Sequence, residues 1–295
     1  MAKFRFDDRV VDLDPRAERF LKTAAWLGGY FTAEQAQLLG MRNSVPRVHA
    51  RLKDLEAWGF LNRVTTYPAV YQISKSVTRL LGTDLAARRR HAVETIRTRL
   101  LTVNFYLEAV EWPVEFVFDH QGKTTELMQL GCDLAMLPQR GGKPYLWEDL
   151  MLRGPSGDLT IAVVDHYGRN AYRRLYRVLK RFGRCLASAP EDLKVLVVVA
   201  SERRHRLFTR LLRQASLQRL LPEVSYDSRP AVTIYRVRRA VPAVRSLIPN
   251  QRGLRELWAS RKLGSEYGSH PPQFVEAVDG GAGHDGCQAK EGLSC

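Results

Sequence analysis

Residues 31–71, FTAEQAQLLGMRNSVPRVHARLKDLEAWGFLNRVTTYPAVY, carry the pattern on which the fold turns. Thr32 can cap a short helix over Ala33–Leu39, which Gly40 then ends. Met41–Ser44 supply a turn. Ser44 is expected to cap the next helix, with Pro46 in its first turn, where the missing N–H has no intrahelical bond to lose. Val45, Val48, Leu52 and Leu55 recur at helical spacing and predict one apolar stripe pressed onto the preceding helices. The other face offers Arg47, Arg51 and Asp54, with Arg42 and Asn43 at its mouth. After Gly59, Phe60-Leu61 and Val70–Ile73 read as two short strands around a tip at Arg63–Pro68. Helix, turn, basic helix and hairpin in this order predict a winged helix-turn-helix, a module that sets one helix in the major groove of DNA. In that arrangement Arg47 and Arg51, with Asn43 nearby, read base edges, while Arg42, Ser44, Arg63 and Thr65 hold phosphates.

Working outward, Pro15–Gly28 predicts an opening helix with Phe20, Ala24 and Leu27 on one side. A last short helix, Ser76–Leu81, completes a DNA-binding domain over residues 1–83. A helical pattern from Ala87 to Val110 follows, basic at Arg88–His91, with Ile96, Leu100, Val103, Tyr106 and Leu107 as its core face. We read residues 84–110 as a connector helix. From Pro113 the period changes to short apolar runs: Val114–Phe118, Leu134–Leu137, Leu159–Val164, Val195–Val199 and Val232–Tyr235. Two helices, Ala171–Leu186 and Arg203–Leu221, interrupt the later strands, so residues 111–262 predict a mixed α/β domain. Residues 263–295, rich in Gly, Ser and Pro with few apolar side chains, predict a disordered tail.

The charge balance points to a polyanionic partner. The chain carries +15, and the stretch after Gly264 holds five acids against one base, which leaves +19 on the rest. Such a surplus favours nucleic acid through phosphate contacts and counterion release. The predicted 171–186 helix sets Leu175, Leu179, Phe182 and Leu186 against Arg173, Arg177, Lys180, Arg181 and Arg184, and Arg206, Arg210 and Arg213 repeat the pattern. Like charges at i,i+4 weaken an isolated helix, so the row also predicts nucleic-acid contact. No run approaches the ~20 apolar residues of a membrane span, and MAKFRFDDRV lacks a leader core, so a cytoplasmic protein without a membrane partner is expected.

Catalytic motifs are incomplete. Of Cys132, Cys185, Cys287 and Cys295 none forms a CxxC pair, and His284 near Cys287 has no companion ligand pair, so no zinc site or disulfide framework is expected. Cys132 and Cys185 read as small core residues. Gly122-Lys123-Thr124 before TELMQL faintly echoes a phosphate loop, but Val117 stands where a further Gly is needed. HExxH and GxSxG are both missing, and His49 and His166 read as surface residues. Gly131-Cys132-Asp133 before LAML, and Asp165 ending LTIAVVD, resemble the two-acid set of a PD-(D/E)xK nuclease, in which acids hold Mg²⁺ and a Lys polarises water. Two residues beyond Asp165 stands Tyr167 rather than Lys, and aligning Val163 with the second acid removes that acid. Asp133 and Asp165 are therefore expected to be vestigial, with no cofactor and no catalysis.

TAEQAQLL with ARLKDLEAWGFL at the front, and GCDLAML with IAVVDHYG at the back, resemble the replication-relaxation family of plasmids and integrative conjugative elements. The resemblance spans roughly residues 15–240, with Cys132, Val163 and the residues after His166 departing from the family pattern. It implies an N-terminal winged helix, a connecting helix and a restriction-endonuclease-like α/β domain. It further implies a mobile-element factor acting in replication, mobilisation or their transcriptional control. Expected partners are double-stranded DNA and replication or relaxase proteins of the element, with homodimer formation left open. The enzyme alternative is a Mg²⁺-dependent DNA nuclease built on Asp133 and Asp165, and a third reading makes the winged module a protein-docking unit.

Overall fold

The Asp14 carboxylate accepts a hydrogen bond from the Ala17 N–H at 2.8 Å and, with Pro15 in the first turn, starts α1 (Pro15–Trp26). The computed structural model describes residues 13–80, 91–146, 149–165, 170–189, 191–214, 219, 232–241 and 244. β1 (Tyr30–Thr32) leads into α2 (Ala33–Leu38) through a reciprocal cap. Thr32 Oγ1 accepts from the Gln35 N–H at 3.2 Å, and Gln35 Oε1 accepts from the Thr32 N–H at 3.1 Å. Gly40, at a φ of 83°, turns the chain away. α3 (Val45–Ala57) follows, then β2 (Leu61–Thr65), β3 (Val70–Ile73) and α4 (Lys75–Leu80). The three strands form an antiparallel sheet in the order β1-β3-β2.

Alternation along these strands builds two cores. Phe31, Leu61, Tyr71 and Ile73 face α1–α3, where Phe20, Ala36, Val48, Leu52 and Leu55 are buried. Tyr30, Val64 and Val70 face the opposite way, onto Ile96 and Leu100 of α5 (Val93–Ala109). The apolar stripe of α3 begins at Val48, since Val45 is 51% exposed, and Ser44 occupies the cap position without a side-chain bond. The hairpin tip is residues 66–69, leaving Arg63 inside β2.

α5, expected as a connector, is buried on nearly every side from Ile96 to Ala109. Ile96 and Leu100 meet the small sheet, whereas Leu101, Val103, Phe105 and Leu107 pack on a second sheet. That sheet has the order β10-β9-β8-β7-β4, with β4 (Glu115–Val117), β7 (Leu150–Arg153) and β8 (Leu159–Asp165) antiparallel. β9 (Leu193–Val199) and β10 (Val232–Arg236) add in parallel. Leu150, Leu152, Ala162, Val164 and Val198 look toward α5. Met151, Leu159, Ile161, Val195 and Val197 look toward α6 (His120–Gln129), α7 (Ala171–Ser188) and α8 (Glu202–Leu212). The mixed α/β architecture expected from the sequence is present: α1–α3 pack on one face of the small sheet, the start of α5 packs on its other face, and the large sheet lies between α5 and α6–α8.

Leu134–Leu137, expected as a strand, is a turn: the Met136 N–H donates to the Asp133 carbonyl at 2.8 Å and Leu134 is exposed. A two-residue ladder, β5 (Gln139–Arg140) with β6 (Lys143–Pro144), follows, and the strand that joins the large sheet is the unanticipated β7. Residues 1–248 form one compact unit; the unit from Pro249 onward, with the predicted tail, Cys287, Cys295 and His284, lies outside the described residues, as do Arg88–Arg90 and His166. Among the described residues no helix is long and apolar enough to cross a membrane.

Candidate nucleic-acid interface and the acidic pair

α3 presents Arg47, His49, Lys53 and Asp54 on its exposed side, opposite Val48, Leu52 and Leu55. At its mouth Asn43 is exposed, and its Oδ1 accepts from Arg16 Nη2 at 2.6 Å. Arg51, expected to read base edges, and Arg42, expected to hold phosphate, are otherwise engaged. Arg51 lies against the Trp58 ring at 4.8 Å, is 11% exposed, and its Nη2 sits 3.0 Å from Asp14 Oδ2. Arg42 Nη2 reaches the same oxygen at 2.6 Å. The Arg42 hydrogen bond, helped by the charge of Arg51, holds the Asp14 carboxyl well below the usual range, at about 2, against the opposing effect of burial. Arg51 is thus a packed residue rather than a free reader of bases.

Thr65, expected to hold phosphate, is buried: its Oγ1 donates to the Pro68 carbonyl and accepts from the Val70 N–H, closing the hairpin. Arg63 is exposed and folds along the hairpin, Nη2 donating to the Thr66 carbonyl at 3.1 Å. Tyr67, 89% exposed, caps the tip. Ser44 keeps its hydroxyl out of the helix cap and is half-buried.

The basic row on α7 divides into two sets. Arg173, Arg177, Lys180 and Arg184 are exposed, opposite Leu175, Leu179, Phe182 and Leu186. Arg181 instead turns inward, its Nη2 2.9 Å from Asp149 Oδ2 and donating to the Tyr145 carbonyl at 2.6 Å. Arg174, seven residues away on the same helix edge, places Nε 3.1 Å from Asp165 Oδ1. Arg204 of α8 binds the other oxygen of Asp165, which is 1% exposed.

Asp133 does not join Asp165. It is exposed in the turn after α6, and the acid that shares the end and face of the sheet with Asp165 is Asp149. Leu150 pairs with Ala162, so continuing that register sets Asp149 opposite Val163, two residues short of Asp165. The sequence signal for it was the short apolar run LMLR directly after Asp149, too brief to stand out beside LTIAVVD. Beside Asp149, Lys123 lies in the first turns of α6, so the Gly122-Lys123-Thr124 segment is helical rather than a phosphate loop. Its Nζ donates to the carbonyls of Leu146 at 3.2 Å and Asp149 at 2.8 Å, and burial depresses the ammonium to about 8 although the charges of Asp149 and Asp119 oppose the shift. Among the described residues no three His, Cys, Asp or Glu side chains gather as a metal site. Cys132 and Cys185 are buried in the α6–α7 core, as expected of small core residues, and both are free thiols.

Comparison with family models, with curated proteins and with solved structures finds no match.

Proposed function

We propose that this is a cytoplasmic, non-enzymatic protein that binds double-stranded DNA with sequence selectivity. The carrying observation is α3, a helix seated by one apolar stripe that turns Arg47 and Lys53 outward and is followed at once by a hairpin with an exposed Arg63. In this reading α1–α4 with the small sheet are a winged helix-turn-helix, and α3 enters the major groove. Arg47 and Asn43 read base edges; Ser44 and Arg63 hold phosphates; Arg42 and Arg51, both tied to Asp14, set the angle of the helix mouth. The layer from β4 to β10 is a restriction-endonuclease-like scaffold without catalysis. Asp149 and Asp165 each accept a guanidinium instead of facing a shared metal, and Val163 fills the place between them where a second acid would stand. With its resemblance to replication-relaxation proteins, the chain acts on a plasmid or integrative element, in replication, mobilisation or their transcriptional control.

The test uses the full chain and a preferred duplex found by selection from random sequence. Arg47→Ala is expected to cost about 1–3 kcal/mol on the preferred site and little on random duplex. Equal losses on both would move base readout off Arg47, and failure of the unaltered chain to bind any duplex would sink the reading. In the same preparations, supercoiled DNA in Mg²⁺ is expected to remain uncut beyond the background of an Asp149→Ala, Asp165→Ala variant. Nicking that this variant lacks would favour the nuclease.

A further inference from the structure

We infer that the outer face of α7 is a second duplex-binding surface, so that one molecule holds two separate DNA segments, one on α3 and one on α7. The inference rests on the duplex-binding reading of α3 and adds to it a second ligand and a place for it.

α3 and α7 belong to different cores. α3 packs with α1, α2 and the small sheet, and α7 with α6, α8 and the large sheet. α7 buries Leu175, Val178, Leu179, Phe182, Cys185 and Leu186 against the large sheet, so its opposite side points away from that sheet. The exposed row of α3 likewise lies opposite its own buried stripe of Val48, Leu52 and Leu55, so the two basic rows are separate surfaces.

The chemistry of the α7 face fits a phosphate backbone. Arg173, Arg177, Lys180 and Arg184 are exposed, and no acid occurs between Asn170 and Ser188. The nearest acids in the chain, Glu191 and Asp192, come after the helix ends. Inward acids exist, but Asp149 and Asp165 are matched by Arg181, Arg174 and Arg204, and among the described residues no acid forms an ion pair with the outer row. The row lies along one helix flank, the arrangement for contacting phosphates whatever the sequence. α3 would thus choose the site, and α7 would accept any neighbouring segment, giving loops or paired duplexes.

The experiment uses the full chain and 20-bp duplexes, too short to wrap, one carrying the preferred site and one of random sequence. Native mass spectrometry with saturating duplex is expected to show one protein with two duplexes. Changing Arg173, Arg177, Lys180 and Arg184 together to Gln should reduce this to one protein with one duplex, the preferred one. The salt dependence of random-duplex binding should flatten by up to about three and a half log units per log unit of salt. The melting temperature should hold, since all four side chains are exposed. A wild-type complex that saturates at one duplex, or an unchanged two-duplex complex in the variant, would overturn the second surface while leaving the α3 reading intact. Absence of any duplex complex with the unaltered chain would overturn the α3 reading itself.

Discussion

The ammonium of Lys123 sits between two carbonyls instead of in water, and its position gives stability a pH dependence of unusual sign. A lysine in the unfolded chain titrates near 10.5, whereas here burial brings it to about 8. Between those values the unfolded state binds more protons than the folded state, so stability rises with pH across the window. The cost of holding the charge inside is fully present below about pH 8 and is released as pH climbs toward 10.5. Urea unfolding of the wild type and of Lys123→Met at several pH values is the check. The unfolding free energy of the wild type minus that of the variant is expected to increase from pH 8 to 10.5 and to level off on either side. A flat difference would mean that the ammonium titrates as it does in water. Arg51 teaches a related lesson: its position on the helical wheel is polar, yet Asp14 and Trp58 hold it down. Spacing alone told of a basic helix, and only the neighbouring carboxylate and ring separated the free arginine from the engaged one.

At the scale of elements, the joint between α2 and α5 is a buried amide pair. Gln35 Nε2 donates to Asn104 Oδ1 at 2.6 Å and to the Leu100 carbonyl at 2.8 Å. Asn104 Nδ2 donates onward to the carbonyls of Arg239 and Ala240, at 3.3 and 3.1 Å. Gln35 also completes the cap of α2, so one side chain starts a helix and docks it. Because an abandoned buried partner loses its bond without regaining water, Asn104→Ala should cost about 2–3 kcal/mol. Combined with Gln35→Ala in a double-mutant cycle, the coupling should exceed about 1 kcal/mol. Strictly additive effects in chemical denaturation would show that the two amides do not act together. The helical pattern of α5 was legible in the sequence. Its burial on both sides was not, because Thr102 and Asn104 interrupt any clean apolar stripe.

Across the whole molecule, α5 is shared by the cores on either side of it, and this makes the two sheets one folding unit. Tyr30 and Val70 of the small sheet and Leu152 and Val164 of the large one all rest on this helix. The chain after β10 adds a second tie, since Glu108 of α5 accepts from the backbone N–H groups of Arg238 at 2.9 Å and Arg239 at 2.8 Å. Native-state hydrogen exchange is expected to give the slowest amides of β3 and of β9 the same opening free energy, within about 1 kcal/mol. A value for β3 several kcal/mol lower would mean that the N-terminal layers open on their own.

What the sequence determined by itself was local. The cap at Thr32, the end at Gly40, the stripe from Val48 to Leu55 and the short apolar runs of β8 and β9 all depend on neighbours within a few residues, and the local pattern reports such neighbours directly. The pairing of charges was decided only by the tertiary structure. Asp149 replaced Asp133 beside Asp165 because strand register, a long-range property, chose which acid reached the sheet's end. The same packing brought Arg174 and Arg181 to buried carboxylates and left Arg173, Arg177, Lys180 and Arg184 without one among the described residues. A guanidinium is equally at home in water or against a carboxylate, so its sequence position carries no mark of which it will find. Only the strand end that arrives opposite it makes the choice.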